Sequence, residues 1–158
     1  MINQMMRKLL LLFALLVAMT AGAQNADDLY KEGKALYDAK NYVAALAKLK
    51  PAAQKGNKKA QYRVGRCYDK GNGVEEDNQE AIKWYQKSAD QGYYKAEYQL
   101  ARAYVKGKAV TASDKKAKMW VKRAVSGKKH GAEMLQEIKD GAADGDKIDK
   151  RLLELLGT

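Results

Sequence analysis

Three tyrosines, spaced 32 and 36 residues apart, are each followed four residues later by a basic side chain. The pairs are Tyr30 with Lys34, Tyr62 with Arg66, and Tyr98 with Arg102. Residues four apart lie on the same face of an α-helix, so each pair would present a ring and a cation side by side. A guanidinium can hold a carboxylate through two parallel hydrogen bonds, and a ring adds contact area beside it. The pairs therefore predict a surface that binds the acidic groups of a peptide.

Four lysines extend this pattern of basic residues. Lys59 and Lys95, and Lys70 and Lys106, are each separated by 36 positions. A second interpretation stays open at this stage, because the tyrosines could serve helix packing and the cations could form a solvated face without a partner.

The elements that must position these side chains repeat with a period of 36 residues. Five positions recur at this spacing: Ala60 and Ala96, Tyr68 and Tyr104, Gly71 and Gly107, Ala81 and Ala117, and Trp84 and Trp120. A period between about 20 and 50 residues is the signature of stacked repeats. Each such unit buries its apolar face only against its neighbours.

The stretch from residue 60 to residue 92 resembles the Sel1-like repeat, a relative of the tetratricopeptide repeat. The residues that match its pattern are Ala60, Gly65, Tyr68, Gly71, Gly73, Val74, Asp77, Ala81, Trp84, Tyr85, Ala89 and Gly92. Val64 stands where the pattern has leucine, and Ser88 stands where it has alanine. The resemblance implies an all-α fold, an α/α superhelical solenoid of antiparallel helix pairs.

The resemblance also implies that the first helix of each unit lines a concave surface. Ten side chains map onto that face: Tyr30, Lys34, Lys59, Tyr62, Arg66, Lys70, Lys95, Tyr98, Arg102 and Lys106. We expect a groove there whose cations bind carboxylates while its tyrosines pack against an extended or helical peptide. The predicted partner is accordingly a protein or peptide with acidic groups.

The repeat spacing and the turn residues predict how the chain divides into structural units. Three units are expected at about 26–56, 57–92 and 93–127, followed by a half unit at 128–139. The first unit lacks four residues in its turn, and Pro51 should bend its second helix or split off the last turn. Residues 140–146 are predicted to be a flexible acidic linker. A short helix at 146–156 is then predicted to cap the array.

Residues 1–23 are predicted to be a cleaved secretory leader. Arg7 and Lys8 precede an apolar run, and Ala21-Gly22-Ala23 provides small residues for cleavage. This predicts a periplasmic or secreted protein without a stable membrane span. The formal net charge of +11 suits an acidic partner or, alternatively, an anionic wall polymer such as peptidoglycan. Export argues against nucleic acid as a partner.

Catalytic chemistry is not predicted. We find no metal-ligand cluster, no Ser-His-Asp set and no phosphate loop, and we expect no metal, no cofactor and no enzymatic activity. A cysteine-rich branch of the resembling family is linked with β-lactam binding or hydrolysis. Cys67 is the one cysteine here, so the disulfide pairs of that branch cannot form. Cys67 is predicted to be a buried small apolar residue.

Overall fold

A computed structural model describes residues 24–157 of the chain. These residues form eight helices and no strand: α1 Ala26–Asp38, α2 Tyr42–Gln54, α3 Lys58–Lys70, α4 Asn78–Asp90, α5 Tyr94–Lys106, α6 Asp114–Ser126, α7 Gly131–Ala143 and α8 Lys147–Leu156. The helices stack as antiparallel pairs in a solenoid, which confirms the predicted fold class. The predicted leader, residues 1–23, lies outside the described residues. None of the eight helices is long and apolar enough to cross a membrane.

The helices pack in chain order, with α1 against α2, α3 against α4 and α5 against α6, and each pair packs against the next. Two clusters of buried side chains result. The first surrounds Leu49 and Val64 on α2 and α3. The second surrounds Leu100 and Met134 and extends from α4 to α8. Tyr68 packs against both clusters, so the core is continuous along the stack.

Small residues allow the two helices of a pair to approach closely. A Cβ atom built on Gly33 would lie 2.7 Å from Leu49 Cγ, and one on Gly65 would lie 2.7 Å from the Tyr85 ring. In the third unit Ala101 replaces Gly65, and Val121 stands 36 positions after Tyr85. The smaller valine gives room for the alanine methyl group, which explains how the fold accommodates this change.

The remaining repeat residues fill the core or its edge. Buried among them are Ala60, Ala81, Ala96, Ala117 and Trp120, whereas Tyr68, Trp84 and Tyr104 are half-buried. Gly71 and Gly107 end α3 and α5, in the loops that lead to the second helix of each pair. Asp77 and Ser113 begin α4 and α6, since their side chains accept hydrogen bonds from Glu80 N at 2.9 Å and Lys116 N at 3.3 Å. Both residues thus serve as N-caps.

Pro51 does not split α2, contrary to one of the alternatives predicted from the sequence. The helix continues through Pro51 to Gln54, and the Lys55 amide donates to the Pro51 carbonyl at 3.1 Å. Proline removes a single donor from the helix, whereas Ala52 and Ala53 beyond it are buried in the first cluster. Tertiary packing therefore holds the last turn in place.

The C-terminal region differs from its prediction. Residues 140–143, predicted as linker, are the last turn of α7, because Met134, Ile138 and Ala142 form a buried stripe at helical spacing. Ala132, which matches the repeat position of the buried Ala96, is exposed, so α7 departs from the repeat register. Only residues 144–146 form a turn. The final helix, α8, then packs against α5, α6 and α7 together.

Candidate functional site

The third predicted pair, Tyr98 and Arg102, lies against the start of α8. The Tyr98 hydroxyl donates to Asp149 Oδ1 at 2.7 Å, and Arg102 Nη1 donates to the same oxygen at 2.6 Å. Arg102 Nη1 also lies 3.0 Å from the Tyr98 hydroxyl. Arg102 Nη2 donates to Asp146 Oδ2 at 2.6 Å. One guanidinium therefore holds two carboxylates that are three residues apart.

This ion cluster is largely withdrawn from water. Asp149 and Tyr98 are 3% and 6% exposed. Burial by itself would lower the pKa of Arg102, but its bonds to Asp146 and the nearby Tyr98 and Asp149 raise that pKa above its ordinary value. Burial would raise the pKa of Asp146, yet the bonds from Arg102 and from backbone amides of α8 bring that pKa below its usual range. Both groups therefore remain charged near neutral pH.

Gly141 gives the Asp149 carboxylate its place beside α7. A Cβ atom on Gly141 would lie 2.3 Å from Asp149 Oδ2, so only glycine fits this close approach without displacing the carboxylate. Glycine usually disfavours a helix, but at this position its missing side chain allows the contact between α7 and α8.

The second pair, Tyr62 and Arg66, has the same internal contact without a carboxylate. Arg66 Nη1 donates to the Tyr62 hydroxyl at 3.2 Å. Within residues 24–157, no carboxylate oxygen lies within 4.0 Å of the Arg66 guanidinium, and its Nε atom is buried without a hydrogen-bond partner. The Tyr85 hydroxyl, on a side chain that is 3% exposed, is also without a partner. The Tyr62 and Tyr85 rings are adjacent, with centroids 6.0 Å apart.

A surface depression, here named the α3 pocket, surrounds the second pair. Its lining residues are Tyr37, Tyr62, Arg63, Arg66, Tyr93 and Lys95. Arg63 lies over the Tyr37 ring at 5.0 Å and contacts one carboxylate, Asp38, at 3.4 Å. The Tyr62 and Tyr93 rings meet edge to face at 5.3 Å. The α3 pocket therefore combines three cations with three tyrosine rings.

The structure groups some of the other predicted residues and separates the rest. Lys70, Arg102 and Lys106 line a second depression between α3, α4 and α5, whose wall also includes Tyr85 and Asp69. Lys59 is exposed and lines neither depression. Tyr30 packs against the first core cluster, and Lys34 is bound to Asp38 of its own helix at 2.5 Å. The first pair thus lines neither depression, although Asp38 also contacts Arg63 of the α3 pocket.

Several residues of the two sites were missed in the sequence. Arg63 lies three positions before Arg66 on the same helical face, and this spacing was a usable signal. Asp146 and Asp149 also have that spacing, at the start of an amphipathic helix in a basic chain. Tyr37 and Tyr93 reach the pocket from α1 and from the residue before α5, and their spacing gave no signal.

Cys67 is fully buried in the first cluster, as predicted, and burial raises the pKa of its thiol from 9.0 to about 11.

Because the thiolate is the nucleophile, we expect iodoacetamide at pH 8 to modify Cys67 in urea but not in the native protein. The thiol ionises in the unfolded chain first, so its contribution to stability is complete below about pH 9 and declines between pH 9 and 11. Rapid native modification, measured by mass spectrometry, would contradict this assignment.

Metal ligation finds no support in residues 24–157, where His, Cys, Asp and Glu side chains form no group of three that could hold an ion. The acidic residues Asp146 and Asp149 are instead both directed to Arg102.

Comparison with known proteins agrees with the repeat pattern. The sequence matches the Sel1 repeat at residues 58–93 and 95–128, which confirms the predicted resemblance. The fold is similar to a Sel1 repeat protein from Oxalobacter formigenes, with 32% identity and a TM-score of 0.64 over 75% of this chain and 46% of that one. No curated protein matches the chain.

A second similar structure is c5321, a protective antigen present in uropathogenic Escherichia coli strains that displays an SLR fold. The identity is 25% and the TM-score is 0.61, over 82% of this chain and 33% of that one. The chain thus spans less than half the length of either protein.

Proposed function

Because the chain is a Sel1-like repeat protein, with repeats at residues 58–93 and 95–128, we propose that it is an exported adaptor that binds another protein in the bacterial cell envelope. Sel1 repeats generally serve as scaffolds for protein–protein interaction, and the Sel1-repeat solenoid is typically non-catalytic. The proposed binding face is the predicted concave one, formed by the first helices of the units. Its proposed ligand is an acidic segment of the partner.

The contact between α5 and α8 is the observation that carries this proposal. There a Tyr–Arg pair on the first helix of a unit holds two carboxylates from another segment of protein. The same pair recurs one unit earlier on α3, where the α3 pocket presents it with additional cations. A repeated surface that binds acidic protein groups inside the molecule is chemically suited to bind them in a partner.

Export rests on the leader pattern of residues 1–23. We assign it to the periplasm, with secretion as the alternative. An anionic wall polymer is the second candidate ligand, and the net charge of +11 favours it. A β-lactamase-like hydrolase is the third, and turnover of a chromogenic β-lactam would reveal it.

The test is capture of envelope proteins by the purified protein, its Arg66→Glu variant and a matched Lys83→Glu control at low and moderate salt. Lys83 is an exposed α4 residue paired with Glu80, outside the α3 pocket. We expect one partner to be held by the parent and the control at both salts and lost by Arg66→Glu, because the new carboxylate repels acidic groups. Circular dichroism should show equal helicity for all three.

Two outcomes would contradict the adaptor proposal. Capture only of anionic polymer, lost as salt is raised, would make charge the basis of binding. Capture of the same protein by the parent and by Arg66→Glu would show that the groove does not take part in binding it. Arg102 is unsuitable for this comparison, because its exchange would disrupt the contact with α8.

A further inference from the structure

We propose that Arg66 and Tyr62 form a carboxylate-binding site for a partner segment that carries two acidic side chains three residues apart at the start of a helix. This inference rests on the proposed function, since it names the ligand chemistry of the same face. Four observations carry it.

First, the two Tyr–Arg pairs share one internal contact. The distance from Nη1 to the tyrosine hydroxyl is 3.2 Å for Arg66 and 3.0 Å for Arg102. Each tyrosine lies four residues before its arginine on the first helix of a unit. The α5 pair, which binds two carboxylates, therefore indicates the kind of acceptor that suits the α3 pair.

Second, Arg66 has capacity for an acceptor. Its Nε atom is a buried donor without a hydrogen-bond partner in residues 24–157, and the described ion pairs give its guanidinium no carboxylate. Arg102, in contrast, binds both Asp146 and Asp149. The α3 pair thus presents a cation whose carboxylate partner is not supplied by the described residues.

Third, the surroundings select an anion. Arg63 and Lys95 line the α3 pocket together with Arg66, and Asp38 at 3.4 Å from Arg63 is the one carboxylate in a described ion pair with any of them. Nearby Tyr62 and Tyr85 raise the pKa of Arg66 although burial opposes this, so the guanidinium stays charged. A carboxylate accepts from the fork and offsets this positive charge, whereas a neutral amide accepts fewer and weaker bonds.

Fourth, Asp146 and Asp149 show how a ligand engages such a pair. Asp149 Oδ1 accepts hydrogen bonds from the tyrosine hydroxyl and from one guanidinium nitrogen, while Asp146 Oδ2 accepts one from the other nitrogen. Asp146 is also the N-cap of α8, accepting from Ile148 N at 2.7 Å. A helix start thus delivers both carboxylates in the geometry of the fork, and the same arrangement in a partner would fit Arg66.

The probe is a synthetic peptide of residues 144–157, with fluorescent label, compared with a version in which both Asp146 and Asp149 are Asn. Binding to the full chain is measured by fluorescence anisotropy for the parent and for Arg66→Gln, Arg66→Lys and Tyr85→Phe. We expect Arg66→Gln to weaken binding about thirty-fold or more and Arg66→Lys about ten-fold, because lysine keeps the charge without the fork. The Asn peptide should bind as poorly as the acidic peptide binds to Arg66→Gln.

Tyr85→Phe is a control variant. Tyr85 lines the neighbouring depression with Asp69 and Arg102 rather than the α3 pocket. The exchange keeps the ring that packs on Gly65 and removes only an unpaired hydroxyl, so peptide binding should stay at the level of the parent.

The outcomes separate this inference from the adaptor proposal. Peptide binding that is unaffected by Arg66→Gln would show that the peptide exchanges with α8 at Arg102, and would overturn the α3 site. Equal binding of the acidic and Asn peptides would also overturn it. An envelope protein whose capture is lost with Arg66→Glu but unaffected by Arg66→Gln would overturn this site and leave the adaptor proposal intact. Peptide binding without any captured protein would leave this site and overturn the adaptor proposal.

Discussion

Replacing Arg102 with methionine is expected to lower the free energy of unfolding by about 3–5 kcal/mol, the usual cost of breaking a buried ion pair. The exchange leaves Asp149, only 3% exposed, without its cation. Methionine keeps much of the side-chain volume, so the loss reports the charge and hydrogen bonds rather than a cavity. Urea unfolding followed by circular dichroism measures it.

Arg151→Met is the matched control, because Arg151 also contacts two carboxylates, Asp114 and Glu154, but at the surface. Surface ion pairs contribute little to the free energy of unfolding, so the control should have the same urea midpoint of unfolding as the parent. Equal losses in the two variants would show that the α5–α8 contact is no stronger than a solvated one.

The same cluster gives the Arg102 comparison a pH dependence. The Asp146 pKa is lower in the folded protein than its ordinary 3.8, so its stabilisation is complete above about pH 4. That contribution is lost as the pH falls through the lowered folded value. The stability difference between the parent and Arg102→Met should therefore shrink below pH 4.

Replacing Gly73 with alanine is expected to lower the free energy of unfolding by about 2–3 kcal/mol. Gly73 has φ +73°, where an L side chain is strained by about 1–2 kcal/mol. A Cβ atom there would also lie 2.6 Å from the carbonyl carbon of Tyr42, which is backbone and cannot turn aside. Overpacking of this kind typically adds about 1–3 kcal/mol, partly offset by the lower unfolded-state entropy of alanine.

Ala109→Gly is the reciprocal exchange, 36 positions on. Ala109 already has φ +61°, so glycine would relieve its strain and raise stability by about 0.5–1 kcal/mol after the entropic cost is subtracted. Opposite signs for the two variants, measured in urea, are the expected result. A destabilised Ala109→Gly would show that the loop of the third unit holds its conformation by other means.

The repeat pattern predicted the helix pairs because each unit depends on local signals: small residues, caps and a 36-residue period. Asp77, Ser113 and the buried alanines behave as their repeat positions require. The C-terminal region was misassigned for a physical reason. Glycine disfavours a helix, so Gly141 favoured the assignment as a linker. The buried stripe of Met134, Ile138 and Ala142 nevertheless stabilises the helix, and the missing side chain of Gly141 leaves room for Asp149, eight residues later.

The Tyr–Arg pairs of the candidate site follow from i,i+4 spacing. The sequence predicted that their cations would bind carboxylates of a partner, whereas Arg102 binds carboxylates of its own chain. That these carboxylates would come from Asp146 and Asp149 could not be derived from local spacing, because it depends on the return of α8 to α5. The remaining residues of the groove stay a prediction.

The α5–α8 hydrogen bonds join residues 44 to 51 apart in sequence, whereas no other side-chain hydrogen bond in residues 24–157 spans more than 37. An ordinary repeat array is quasi-one-dimensional, and both of its ends can fray unit by unit. Here the last two helices, α7 and α8, are tied back to the third unit, so that end opens only as a single cooperative block. Local opening, and with it proteolytic access, is therefore biased toward the α1–α2 end of the stack.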